Sequence, residues 1–306
     1  MAADEPAYTR LLSSEATSKI GRLEFLARTA IEGAVTGRHQ SPYKGSSVEF
    51  AEHRQYVPGD DVRDLDWNAY AKQDRFYIKQ YVDETNLRAT IVVDASGSMK
   101  YVGEHAAEMD GRKLSKFEYA SYLAACMTWL FMRQQDAVGL VTFDTEVRDY
   151  IPARTRATQL RQILEALVRT EPGGETGVAD VLHDVAERIH RRGMVVIISD
   201  LFGDPEQVVN ALHHFRYRNH QVTVLHVMAD EEICFPFNKF TDFIDLEPSS
   251  RSLQIDPKTV RAQYLDRIRE FVEQIETGCG QMKADYVPLN TNESFDTSLA
   301  NYLARR

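Results

Sequence analysis

The spacing of hydrophobic positions changes near residue 85. Residues 15–37 place Ile20, Leu23, Leu26 and Ala27 on one stripe, the spacing of an amphipathic helix. Residues 38–75 are turn-rich, charged and laced with aromatics, which predicts irregular chain with short strands. Residues 75–83 (RFYIKQYVD) alternate, with Phe76, Ile78 and Val82 facing one way and Tyr77 and Tyr81 the other. A turn at residues 84–86 then leads into the strand 87–94, so a hairpin feeding that strand is expected.

Beyond residue 94 the pattern becomes βα. Residues 115–133 (SKFEYASYLAACMTWLFMR) are apolar on most faces, as in a helix pressed on a sheet. Residues 137–143 and 146–151 read as strands, and 158–168 and 178–189 as helices. Residues 194–199 (MVVIIS) form a continuous β-branched run, the mark of a strand covered on both faces. A helix at 205–217, opened by Pro205, and a strand at 221–227 follow. A hairpin is expected from 239–246 and 252–255. Asp256 is a candidate cap for a helix running to Glu276, and a last strand (284–288) and helix (294–303) close the chain. The fold class is α/β, a doubly wound, mostly parallel sheet with an N-terminal helical/β extension. The expected division is an extension over 1–84 and a sheet domain over 85–306 that ends in the hairpin and helices.

Composition changes this picture little. The chain has 306 residues, and 36 basic against 46 acidic side chains leave a formal charge of −10, which disfavours nucleic-acid binding. The basic stretch at residues 148–161 reads as a solvated loop and helix start, or as a contact patch for an acidic partner. Cys126, Cys234 and Cys279 are odd in number and far apart, with no zinc or disulfide spacing, and Cys126 reads as a core residue. The N-terminus lacks the apolar run of a secretory signal and no stretch is long enough to span a bilayer, so the expected compartment is cytoplasmic.

The chemistry sits at strand ends. Asp94 closes the apolar run in IVVDASGSM and Asp200 closes VVIISD. If the two strands are neighbours, two desolvated carboxylates lie close together and raise each other's pKa unless a cation neutralises them. Ser96 and Ser98 alternate, so both hydroxyls turn the same way as Asp94. Carboxylate and hydroxyl oxygens suit a hard cation, Mg²⁺ first, with Mn²⁺ or Ca²⁺ as substitutes. Thr176, on the Gly173-Gly174 turn ahead of a helix, offers a further oxygen.

Asp94-Ala95-Ser96-Gly97-Ser98, then Thr176, then Asp200, resembles the metal-ion-dependent adhesion site of von Willebrand factor A domains. The resemblance implies direct ligation by Ser96, Ser98 and Thr176. Asp94 and Asp200 would act through bound water, with one coordination position left for a partner's acidic side chain. Glu175 between the glycines and the threonine, and Leu201 in place of a frequent glycine, depart from that pattern. Met99, Glu175, Leu201 and Phe202 would shape the rim. The segment Phe50, Arg54, Tyr56, Gly59-Asp60, Arg63, Asp66-Trp67 resembles the signature of the bacterial domain-of-unknown-function family numbered fifty-eight, as do Asp256-Pro257, Tyr264 and Asp285-Tyr286 in the tail. That family implies an A-type domain and, as partner, a MoxR-type AAA+ ATPase. In the signature itself, Arg54 and Arg63 among six acids read as a buried ion-pair lattice packed by Trp67 and Tyr56, or as a partner surface. The acid run 60–66 lacks the glycine and glutamate offsets of a calcium loop.

The expected function is therefore a non-catalytic, divalent-metal-dependent protein–protein interaction module, working with such an ATPase in complex assembly or maturation. The alternatives are a Mg²⁺-dependent phosphotransferase or phosphatase, and a scaffold with a vestigial metal site. Against the enzyme, the position two residues after Asp94 is Ser96, no lysine is placed by spacing near Asp200, and P-loop, GxSxG and HExxH motifs are absent.

Overall fold

The computed structural model describes residue 11 and residues 49–57, 65–73, 75–82, 87–174, 177–246 and 252–304. The helix expected at 15–37 lies outside the described residues. The chain divides into two compact units, Gly33–Asn86 and the remainder.

In the smaller unit, β1 (Glu49–Gln55) pairs antiparallel with β2 (Tyr77–Val82), and α1 (Trp67–Gln73) lies between them in sequence. The helix falls in a stretch expected to be irregular. Asp66 opens it, its Oδ1 accepting a hydrogen bond from Ala69 N at 3.1 Å, a cap that residue-by-residue apolar spacing does not reveal. Tyr70 stacks on Phe76 with ring centroids 4.5 Å apart, and Tyr56 meets Phe76 edge-on. Trp67 does not pack as expected of the lattice: it is 62% exposed. Gly59, Asp60, Asp61, Arg63 and Asp64 of the signature lie outside the described residues. The hairpin expected between residues 75–83 and 87–94 does not form. Strand β2 takes β1 as its partner, because the buried strand that follows is enclosed by strands of its own sheet.

The larger unit is built on a six-stranded sheet. Its strands are β3 (Arg88–Asp94), β6 (Ala137–Phe143), β7 (Val147–Arg154), β8 (Met194–Ser199), β9 (Gln221–Met228) and β12 (Asp285–Asn290), in the order β12-β9-β8-β3-β6-β7. All neighbours are parallel except β6 and β7. Two-residue strands β4 (Glu108–Met109) and β5 (Arg112–Lys113) form a small ribbon, and β10 (Thr241–Ile244) with β11 (Ser252–Ile255) the expected hairpin.

Helices cover both faces. Ala89, Ile91 and Val93 of β3 pack with α2 (Lys116–Arg133), α3 (Gln159–Arg169) and α8 (Phe295–Ala304). Val92, Val141 and Phe143 pack on the opposite side with α4 (Val178–Arg188), α5 (Pro205–Tyr217) and α7 (Pro257–Gln281). Burial on both faces is why β3 and β8 read as unbroken apolar runs. Cys126 is buried in the first core, as expected of a small apolar residue. Pro205 and Pro257 occupy first turns behind the capping carboxylates of Asp204 and Asp256. The chain leaves β3 toward β6 and β7, then returns to β8 on β3's other side and proceeds outward. Strand order therefore reverses between β3 and β8, the place where open α/β sheets bind ligands beyond the strand ends. No helix among the described residues is long and apolar enough to cross a membrane.

Candidate metal and partner site

Strands β3 and β8 run in register from Ala89↔Met194 to Val93↔Ile198, which brings their carboxyl ends side by side. Asp94 and Asp200 sit there, both fully buried. Serine groups gather around them. Asp94 Oδ1 accepts from Ser96 N at 2.8 Å, and Asp94 Oδ2 from Ser199 Oγ at 2.5 Å. Ser96 Oγ stands 3.1 Å from Ser98 Oγ, and the Ser98 hydroxyl helps hold the Asp200 carboxyl low.

The loop folds this way because Gly97 can be approached closely. A Cβ at Gly97 would stand 2.7 Å from the Leu246 carbonyl oxygen and 3.0 Å from that of Gly174, both rigid backbone atoms. Gly97 N donates to Gly174 O at 3.2 Å, and Gly173 N to Ala95 O at 2.8 Å. The Gly173-Gly174 turn is thus tied to the serine loop. Thr176 and Glu175, two residues onward, lie outside the described residues. Arg148 anchors the same turn, bonding to Asp144, to Glu171 O at 2.6 Å and to Gly173 O at 3.3 Å. Part of the basic stretch is thereby committed to structure; Arg169, just beyond it, pairs with Asp149.

Two expected rim residues are core residues instead. Met99 and Leu201 are fully buried, while Phe202 keeps partial exposure. Leu201 adopts φ 54°, and its N–H donates to Ser199 Oγ at 2.8 Å. That left-handed backbone is where glycine is favoured, and leucine is held there by its enclosed side chain.

The residue that sequence reasoning missed is Lys116. Its ammonium donates to Asp200 Oδ2 at 2.7 Å and to Glu232 Oε1 at 2.6 Å, stands 4.8 Å from the Phe202 ring centroid, and is 1% exposed. The expectation that no lysine lies near Asp200 is therefore wrong. The two residues are 84 positions apart, beyond any local spacing rule. One signal was present: Lys116 is the first residue of α2, where the helix dipole disfavours a cation, so its charge needs anions nearby. Glu232 belongs to the short helix α6 (Asp230–Cys234) and caps it by accepting from Ala229 N at 2.7 Å.

The electrostatics follow from these contacts. Burial pushes the Asp94 carboxyl up to about 7, helped by the Asp200 charge and partly offset by the bonds from Ser199 and Ser96. Burial acts on Asp200 as well, but the Lys116 charge and the bonds from Lys116, Ser98 and Phe202 outweigh it and hold this carboxyl low. Burial would lower Lys116, yet Asp200 and Glu232 raise it, so the lysine remains an ammonium. His226, buried beneath, is lowered to about 4 chiefly by desolvation. Its Nε2 lies 2.8 Å from the Asp200 carbonyl oxygen, which only accepts, so Nε2 carries the proton. Nδ1 is then free to accept from Tyr286 OH at 2.7 Å.

An octahedral hard cation with ligand bonds of about 2.1 Å sets adjacent oxygens roughly 3 Å apart. The Ser96–Ser98 separation of 3.1 Å fits that edge. Among the described residues no group of three or more His, Cys, Asp or Glu side chains is gathered for a metal, so a cation here would depend on hydroxyls plus the two aspartates.

The family model described as "Protein of unknown function DUF58" matches residues 52–273. The chain belongs to the DUF58 family. That span takes in part of β1, the strand-end aspartates and most of α7, so the DUF58 match contains Asp94, Ser96, Ser98, Lys116, Asp200 and Glu232. Uncharacterized proteins of Mycobacterium bovis and Mycobacterium tuberculosis are 29% identical over 292 residues, covering 93% of this chain and 87% of each relative. Among solved structures, a conserved hypothetical protein BatB from Bacteroides thetaiotaomicron aligns at a TM-score of 0.44 and 15% identity, over 72% of this chain and all of that one. An aerotolerance-related membrane protein from Bacteroides fragilis aligns with the same figures. Likeness at that level decides nothing about the activity of this DUF58 protein.

Proposed function

We propose that this DUF58 protein is a non-catalytic, divalent-metal-dependent protein–protein interaction module of the von Willebrand factor A type. Ser96, Ser98 and Thr176 would hold Mg²⁺, or Mn²⁺ or Ca²⁺ in its place, with Asp94 and Asp200 behind them. A partner's acidic side chain would complete the coordination, and the partner proposed is a MoxR-type AAA+ ATPase or its client. The observation that carries this reading is the gathering of Asp94, Ser96, Ser98 and Asp200 at the reversal of strand order. The side chains it offers to a cation are carboxylates and hydroxyls, the oxygen donors that suit a hard divalent ion. The test is calorimetric titration with Mn²⁺ and Mg²⁺. Binding in the wild type and at least a 100-fold loss in a folded Asp94→Ala variant are expected, and partner capture should fall on adding EDTA. Equal heats in both proteins would remove the proposal.

Lys116 favours a second reading. A strand-end aspartate, a metal and a lysine are the parts of aspartyl phosphoryl transfer, in which the acid attacks phosphorus. Lys116 is enclosed and already shared by two carboxylates, however, and Ser96 stands where such enzymes need a second acid. Incubation with acetyl phosphate and Mg²⁺ separates the readings. An acid-stable, base-labile mass gain of one phosphoryl group on Asp94 would favour the enzyme; no gain favours the binding module.

A further inference from the structure

A fully enclosed ammonium beside two carboxylates does more than fill space. Lys116 reaches Asp200 from the first turn of α2, and Glu232 reaches Lys116 from α6, so three separate elements converge on one charge. The Phe202 ring closes the remaining side. The lysine is enclosed, spends two of its N–H donors on these carboxylates, and ties down one of the two Asp200 oxygens. The other, Oδ1, already accepts from Phe202 N at 3.2 Å. Asp200 therefore meets a cation whether or not a metal is bound.

We propose that Lys116 is a resident counter-ion that competes with the divalent metal for Asp200 and so sets the metal affinity of the site. This inference rests on the metal-site reading above. Its physical basis is charge at short range. A fixed positive charge held within hydrogen-bond distance of one of the two aspartates repels an incoming divalent ion, and it ties down one oxygen that the ion or its water would use. The same contact lets the fold form without metal, because Asp200 is never an uncompensated buried anion. Lys116 is thus a positioning residue. It makes metal binding weak and readily reversible, where two bare aspartates would make it tight and structural.

The test uses the full chain and three measurements on wild type, Lys116→Met and Lys116→Arg. Methionine keeps the straight apolar stem and deletes the charge; arginine keeps the charge. In calorimetry with Mn²⁺ and Mg²⁺, Lys116→Met is expected to bind at least tenfold more tightly than wild type, and Lys116→Arg to stay within about threefold of it. In thermal melts Lys116→Met should melt lower than wild type without metal and gain more from saturating Mn²⁺. Damage to the fold would weaken binding, so tighter binding is a readout that a purely structural lysine does not produce. Unchanged or weaker metal affinity in a folded Lys116→Met protein overturns the inference. If that variant fails to fold without metal, it is refolded in Mn²⁺, and the absence of Mn²⁺-dependent recovery overturns the inference equally. Metal binding by Lys116→Met but not by wild type would keep the competition and sink the wild-type metal reading. Silence in both proteins sinks both.

Discussion

At Asp136 a single carboxylate illustrates how burial sets a pH response in this protein. Its Oδ1 accepts from Leu87 N at 2.9 Å, and desolvation, only partly offset by that bond, raises its pKa to about 6. A carboxyl raised in the folded state binds more protons there than when unfolded, so its contribution falls as pH rises from about 4 to 6 and stays lost above. Asp136→Asn keeps the acceptor and removes the charge. Urea denaturation should show the variant more stable than wild type at pH 7 by about 2 kcal/mol, with the difference gone by pH 4. At the site, the clustering of Asp94, Ser96, Ser98 and Asp200 was legible because strand ends and alternate hydroxyls are local patterns. Lys116 and Glu232 were not, since their meeting with Asp200 depends on how α2 and α6 dock. Met99 and Leu201 were misplaced on the rim because proximity in sequence to a ligand says nothing about which way a loop residue turns.

Among elements, the pairing of β3 with β8 decides whether a site exists at all. Gly193, just before β8, lies so close to β3 that a methyl group would collide with the Arg88 carbonyl oxygen. Gly193→Ala is therefore expected to cost about 1–3 kcal/mol in denaturant unfolding, the scale of overpacking. It should also weaken Mn²⁺ binding by displacing Ser199 from Asp94, since both depend on the same register. Stability unchanged within about 0.5 kcal/mol would mean that the two strands have slack. The βα alternation was readable because each run was long and periodic, and helix α5 and strand β8 begin and end where expected. Helix α6, five residues long, and ribbon β4–β5 carry too few residues to show a period. The hairpin expected ahead of β3 failed for a related reason: adjacency and alternation name a strand but not its partner.

For the whole molecule, the charge of −10 acts at long range. Retention on double-stranded DNA at about 0.15 M salt is expected to be nil, as the net negative field repels phosphates that come within the screening length of roughly 8 Å. A measurable shift in an electrophoretic mobility assay would contradict that. The sheet has a longer-lasting influence. Strand β3 has neighbours on both sides and a core on each face, so its amides are reached only when the molecule opens as a whole. In heavy water, Ile91, Val92 and Val93 should be among the last backbone groups to take up deuterium. The serine loop is moored to that enclosed strand, so any ligand arriving there would meet a seat whose shape was set during folding.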